Sequence, residues 1–221
     1  MDEDGAMDKH RLGGAVLRRV HVVPEFVSGA EARALLRALE GRRWAQAKGR
    51  RIQELGGRIV RDTLLPATAG LPAAVAALCR KVEARCGAEG EGRIHLNHVL
   101  VNRYEPGAGI LPHEDGPIYR PEAFILSLGG PAVLRFHAFA EGARRLVASV
   151  VLQPRSLLAF AEEAYVSHLH GIDFAAEDEL DASVLNRPAG LEEGALLPRG
   201  AVRTSFTLRE VVKVRKGLLH L

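Results

Sequence analysis

The texture of the second half of the chain most constrains how it can fold. From residue 94 onward, short runs rich in Val, Leu, Ile and Phe alternate with Gly- and Pro-bearing turns. They fall near 94–104, 110–113, 123–128, 132–138, 145–152, 156–160, 165–170 and 202–213. Strands at this spacing predict a β-sandwich or barrel. The first half reads differently. A strand is expected at 20–23 (VHVV), then a helix with clear punctuation: Ser28 as N-cap, Glu31 completing the capping box, Gly41 as the stop. Its Leu35, Leu36 and Leu39 are expected to face the core. A second helix is expected after Leu71, with Pro72 in its first turn and Gly87 as its C-terminal stop. Helices followed by a β-rich core make the fold class α+β.

The 221 residues suit one domain with a sizeable core. A disordered tail is expected over 1–15 and a single domain over 16–221. Residues 174–200, with Pro188, Gly190, Gly194 and Pro198, read as a long loop between the last two core strands. Apolar residues make up 47% and charged residues 26%, ordinary values for a soluble protein. No stretch approaches the roughly 20 apolar residues of a membrane helix, so no membrane association is expected. The opening MDEDGAMDKH resembles neither a signal nor a transit peptide, so a cytoplasmic or nuclear location is expected, and the chain is expected to be a monomer. Cys79 and Cys86, seven residues apart on one helix, would lie roughly 10 Å from each other, too far for a disulfide. The net charge is only +3, but residues 41–61 carry seven basic residues and one acid, whereas 173–193 carry seven acids and one arginine. Such asymmetry suggests a basic rim that faces a polyanion; two solvated surface segments are the alternative.

The chemistry centres on His113-Glu114-Asp115. In extended structure residues i and i+2 point the same way, so one imidazole and one carboxylate can meet one metal. A second histidine from a distant strand would complete a two-histidine, one-carboxylate facial triad, the set that suits non-haem iron(II). His170 and His168 share strand parity, so alternation cannot separate them; the His170-Gly171 step favours His170, because a glycine lets the chain turn away beside a crowded site. Downstream, Arg203, Ser205 and Arg209 share one strand face. A buried guanidinium there could pair bidentately with the far carboxylate of a dicarboxylate such as 2-oxoglutarate. Upstream, Asn102 and Tyr104 share a face with Leu100 and can hydrogen-bond a carboxylate without adding charge. The turn at Pro106-Gly107-Ala108-Gly109 would return the next strand, and His113, beside Tyr104.

The run from Leu100 to Asp115 (LVNRYEPGAGILPHED), with His170 and the Arg203-to-Arg209 spacing, resembles the signature of the AlkB family of dioxygenases. The segments 97–119, 152–160, 168–172 and 203–211 resemble one branch of that family, AlkB homologue six, and the likeness covers roughly residues 20–215. The resemblance implies a double-stranded β-helix (jelly-roll) core with the N-terminal helices packed outside. It implies His113, Asp115 and His170 as ligands of iron(II), with 2-oxoglutarate and dioxygen as cosubstrates. It implies Asn102, Tyr104, Arg203 and Ser205 as 2-oxoglutarate contacts, Arg209 beside the metal-binding aspartate and the cosubstrate, and Leu100 and Ile110 as apolar walls. The implied activity is hydroxylation of a substrate C–H bond; at an N-methyl carbon this ends in demethylation. Pro117 stands where repair-type members carry a second acid that helps read the base, and Ser205 where the bacterial prototype has asparagine.

In that family the segment before the β core covers the substrate. Here it is lid-like over about 41–61 and includes Trp44, Arg50, Arg51 and Gln53; Tyr119 is a further candidate substrate contact. Cations with one aromatic suit phosphate contacts and base stacking, so DNA or RNA is the expected partner. A protein or small-molecule substrate, a non-catalytic module keeping the fold and a cupin-like metal protein are the alternatives.

Overall fold

The structure is a computed structural model describing residues 10–12, 17–86, 93–140 and 142–215. Alternation along one central strand, β7 (His98–Tyr104), sets its plan. Val99 and Val101 are fully buried on one face, in the same cluster as the helix residues Leu35, Val75, Leu78 and Val82 and as Leu39 just past the first helix. Residues 98, 100, 102 and 104 therefore point to the other face.

Around β7 the main sheet takes in β1 (Arg11–Leu12), β2 (Val20–Val23), β3 (Ala45–Ala47), β4 (Arg50–Leu55), β9 (Glu122–Gly129), β12 (Leu157–Ala161) and β16 (Arg203–Arg209). Their order is β1-β2-β12-β9-β16-β7-β4-β3. Facing it is a second sheet, β11-β10-β13-β8, built from β8 (Ile110–His113), β10 (Ala132–Ala140), β11 (Ala143–Leu152) and β13 (Leu169–Ile172). Between the sheets lies a second apolar cluster, with Ala123, Ile125, Leu158 and Phe160 from the main sheet and Leu134, Phe136, Ala148 and Val150 from the smaller one. Two facing sheets of antiparallel strands form the expected jelly roll.

The first helix, α1 (Gly29–Arg37), begins as expected: Ser28 Oγ accepts from Glu31 N, and Glu31 returns a bond to Ser28 N. It ends a turn before Gly41, which adopts a positive φ of 70° after a run of tight turns. Its buried stripe is Leu35 with Ala32 packed alongside, and Leu39 buries in the turn that follows, whereas Leu36 is 40% exposed. Leu36 lies 100° round the helix from Leu35 and falls at the edge of the stripe. The second helix, α2 (Ala73–Cys86), starts one residue later than expected, with Pro72 just before its first turn; Gly87 lies outside the described residues. Cys79 and Cys86 are both free and buried. No helix among the described residues is long and apolar enough to cross a membrane.

Two expectations change, and the lid-like segment takes a form the sequence pattern did not suggest. Of the tail, residues 1–9 and 13–15 lie outside the described residues, but Arg11 and Leu12 pair with His21 and Val20. The lid-like segment 41–61 is strand: β3 and β4 extend the main sheet through β7, and β5 (Gly57–Val60) pairs with β6 (Thr63–Pro66). Its alternation was masked by arginines, whose apolar stems can lie along a sheet while the heads reach water. The acidic stretch 174–200 is also ordered by pairing, of β14 (Glu177–Glu179) with β15 (Leu196–Pro198). Leu180 and Val184 bury against Val133 and Val151 on the outer face of the smaller sheet. Asn186 exchanges two hydrogen bonds with the backbone of Val151, while Ser149 bonds to Ser183 and Leu185. The stretch thus covers the edge strand β11, whose backbone groups would otherwise lack partners.

Leu35→Ala should lower stability by about 2–5 kcal/mol and Leu36→Ala by no more than about 0.5 kcal/mol, measured by urea unfolding. Equal losses would contradict this burial pattern.

Candidate metal and cosubstrate site

β8 and β13 pair so that His113 lies directly opposite His170, and His170 lies opposite Phe136 on β10. The two imidazoles are 4.5 Å apart between centroids. Asp115 follows two residues beyond β8, and one donor atom from each of His113, Asp115 and His170 lies within 4.8 Å of the others. His113 Nδ1 sits 2.9 Å from the carbonyl of Leu111, which can only accept, so Nδ1 carries the proton. Nε2 is then the lone-pair nitrogen, and it is the atom facing Asp115 Oδ1 at 4.0 Å. Two buried atoms of the group, Asp115 Oδ2 and His170 Nδ1, have no hydrogen-bond partner. Leaving such atoms unsatisfied costs about 1–3 kcal/mol each; two imidazoles, one carboxylate and orphaned donor atoms fit a divalent iron.

The structure separates His170 from His168. His168 Nδ1 instead bonds the Glu163 carbonyl of the short helix α3 (Glu163–Val166), which replaces the first part of the strand expected at 165–170. Gly171 lies within β13, not at a turn. A Cβ there would stand 2.8 Å from Pro112 N and 2.9 Å from the Ile110 carbonyl. The glycine thus admits the backbone of β8 at a register shift between His170 and Ile172.

Behind the metal group runs a buried strut. Arg209 Nη1 holds Asp115 Oδ1 at 2.5 Å, and its guanidinium lies 4.1 Å from the centre of the Tyr119 ring. The Tyr119 hydroxyl donates to His98 Nδ1 at 3.4 Å, and His98 Nε2 donates to Glu54 Oε1 at 3.0 Å. Burial, the main cause, holds His98 below the usual histidine range, which keeps Nδ1 free to accept. Sequence reasoning missed His98 and Glu54; their only signal was parity with Leu100 across β7 and β4.

At the other end of the same cavity β16 and β7 set Arg203 opposite Tyr104 and Ser205 opposite Asn102. Arg203 is buried; its Nη2 donates to Ser127 Oγ at 2.9 Å, and its guanidinium lies 5.4 Å from the Tyr104 ring. Nearby Asp178 is committed elsewhere, gripped by Arg199 through bonds of 2.6 and 2.7 Å. Burial pushes the arginine's pKa down. A buried guanidinium with hydroxyl and ring partners is primed for an anion. Leu100, Ile110, Ser205 and Arg209 also line this cavity, with Thr207, Ile125 and Leu134, which sequence reasoning did not single out.

The candidate substrate residues divide. Arg50 lines the cavity. Arg51 and Gln53 pair with Arg103 and Val101 and so face the opposite side. Arg51 meets Glu105, and buried Gln53 donates to the carbonyls of Leu39 and Arg42. Trp44 packs on the helix-side core. Tyr119 supports Arg209 from behind and does not line the cavity.

Comparison with known proteins agrees with this geometry. Residues 54–209 match the model of the 2OG-Fe(II) oxygenase superfamily, a span holding all three donors, Arg203 and Arg209. The chain is similar to "Probable RNA/DNA demethylase ALKBH6" of Danio rerio, with 34% identity over 91% of this chain and 89% of that protein. It is 26% identical to "Alkylated DNA repair protein ALKBH8 homolog" of Arabidopsis thaliana, over 86% of this chain and 57% of that one. It is 28% identical to "tRNA (carboxymethyluridine(34)-5-O)-methyltransferase alkbh8" of Xenopus tropicalis, over 86% and 31%. Among solved structures, that of OsALKBH1 superposes with a TM-score of 0.54 at 16% identity, covering 88% of this chain and 99% of that one; this likeness concerns the fold.

Burial, against the attraction of Asp115, lowers the His170 pKa to about 4. The unfolded chain therefore takes up this proton first. The contribution of neutral His170 to metal-free stability is fully present above about pH 6.5 and is lost as pH falls to about 4. Between pH 7 and pH 5, urea unfolding of the metal-free protein should show a stability loss larger by about 1–2 kcal/mol than that of His170→Gln. Parallel losses would refute a buried neutral imidazole.

Proposed function

This chain belongs to the AlkB family within the iron(II)- and 2-oxoglutarate-dependent oxygenases, and from that premise we propose that it hydroxylates or oxidatively demethylates a nucleic-acid base, with His113, Asp115 and His170 holding the iron. Its cofactor set is iron(II), 2-oxoglutarate and dioxygen. When bound, these supply the oxidative decarboxylation to succinate and carbon dioxide that hydroxylates a substrate carbon, and a hydroxylated N-methyl group leaves as formaldehyde. In this proposal Arg203 pairs with the far carboxylate of the cosubstrate, flanked by the hydroxyls of Tyr104 and Ser127. Leu100 and Ile110 exclude water. Arg209 Nη1 pairs with Asp115 Oδ1 and so fixes the carboxylate beside the two histidines.

The observation that carries the oxygenase reading is the meeting, in one cavity, of the three donors and a buried arginine that has no carboxylate partner among the described residues. Support for a nucleic-acid substrate comes from the names of two relatives, an RNA/DNA demethylase and a tRNA-modifying protein. Exposed Arg42, Arg43, Lys48, Arg58 and Arg61, on the segment that carries cavity-lining Arg50, add an electrostatic reason. Exposed Pro117, two residues past Asp115, favours a second reading, a protein or small-molecule substrate, because no acid stands there to read a base.

Incubating the iron(II)-loaded protein with 2-oxoglutarate and modified oligonucleotides, followed by mass spectrometry, should give succinate and a changed nucleoside. His113→Ala should abolish both; unchanged turnover would refute the ligand assignment. For polynucleotide binding, Lys48→Ala and Arg58→Ala should each reduce the slope of log affinity against log salt by about 1. Absence of binding at low salt would refute the nucleic-acid reading.

A further inference from the structure

We infer that Arg50 belongs to the cosubstrate site, as a second arginine that locks the Asn102 amide and faces the bound dicarboxylate. Its place in the sequence, in a basic run ahead of the β core, suggested a substrate contact. Its surroundings argue otherwise. Arg50 shares the cavity with Asn102, Tyr104, Arg203 and Ser205. Its Nε donates to Asn102 Oδ1 at 2.8 Å, and its Nη1 to the Lys48 carbonyl at 3.3 Å.

The bond to Asn102 has a chemical consequence. A guanidinium only donates, so the amide must offer Arg50 its oxygen. The NH2 group of buried Asn102 is then left as a donor to an acceptor in the cavity. Arg50 thereby makes Asn102 a donor, the polarity that a carboxylate or keto oxygen requires.

Charge points the same way. Asp115 is held by Arg209, and Asp178 by Arg199. Arg203 and Arg50 are the two cavity arginines whose hydrogen-bond partners are neutral. Both cations are therefore free to favour a dianionic ligand in this cavity. Nor does Arg50 sit on a free arm. It pairs with Ala47 across a two-residue turn, and Gly49 in that turn, at φ +75°, packs so tightly that a Cβ would lie 2.6 Å from the Phe174 ring and 3.1 Å from the Gly109 carbonyl. Arg51, one residue on, faces the other side and bonds Glu105, which makes it a matched control.

The assignment rests on the cosubstrate of the family and not on the choice of substrate, so a failed nucleic-acid screen leaves it standing. The test is calorimetric titration of 2-oxoglutarate into manganese(II)-loaded protein without substrate. Arg50→Ala should weaken 2-oxoglutarate binding by about 10- to 100-fold. Its manganese affinity and circular-dichroism melting curve should stay as in the parent protein, and Arg51→Ala should bind 2-oxoglutarate like the parent. Should Arg50→Ala fail to fold, Arg50→Gln, which keeps a donor and loses the charge, carries the same expectation. Unchanged 2-oxoglutarate affinity in the folded Arg50 variant would overturn the inference, as would a loss confined to polynucleotide binding.

Discussion

Strand β16 is hydrogen-bonded along both edges, to β7 and to β9, and the site takes its geometry from that double ladder. A central strand cannot slip by one residue without reversing every side chain it carries. Phe206 and Leu208 are fully buried in the helix-side cluster. Burying them there obliges Arg203, Ser205, Thr207 and Arg209 to face the smaller sheet. The ladder also sets the spacing between Arg203, beside Tyr104 and Ser127, and Arg209, beside Asp115. The hydrophobic effect thus places two arginines that it would never bury by itself.

Most of the buried arginines have acidic partners. Arg209 answers Asp115, Arg199 answers Asp178, and Arg135, on the outer face of the smaller sheet, joins Asp173 and Asp181. A buried ion pair adds little net stability, but breaking one is costly, so the two fully buried pairs, Arg209–Asp115 and Arg199–Asp178, hold loops and strands in a single arrangement. Arg199 also donates to the Ala108 carbonyl, tying the acidic stretch to the turn before β8. Of the acids of 173–181, Asp173, Asp178 and Asp181 have arginine partners, while Glu177 and Glu179 are exposed. What is left over is positive charge inside the cavity, where the cosubstrate is a dianion.

Much of this was legible in the sequence. The strands from β7 to β12 lie close to where short apolar runs and turn residues put them, and the capping box at Ser28 and Glu31 forms as written. These features rest on local propensity and on alternation, which act over a few residues. The metal group was legible for a similar reason: His113 and Asp115 are near neighbours, and only His170 had to be found at a distance. What failed to show was strand hidden under charge, in β3 to β5, and short pairing within an acidic stretch, in β14 and β15. There the pattern of apolar residues is too sparse to reveal a period.

The sequence by itself determined which groups the chain can bring to a site: two histidines and a carboxylate with the composition of a metal-ligand set, strand-borne arginines, and an α+β chain to hold them. Only the tertiary structure decided which of several equal candidates does which job. His168 and His170 have the same parity, and β13 separates them by pairing His170 with His113 while His168 turns to α3. Arg50 and Arg51 are neighbours of identical chemistry, and pairing of β4 with β7 sends one into the cavity and the other to Glu105. Gly171 looked like a turn and proved to be the place where two backbones meet. In each case the deciding quantity is the register between strands far apart in sequence, set by burying a whole core at once and not by the few residues in question.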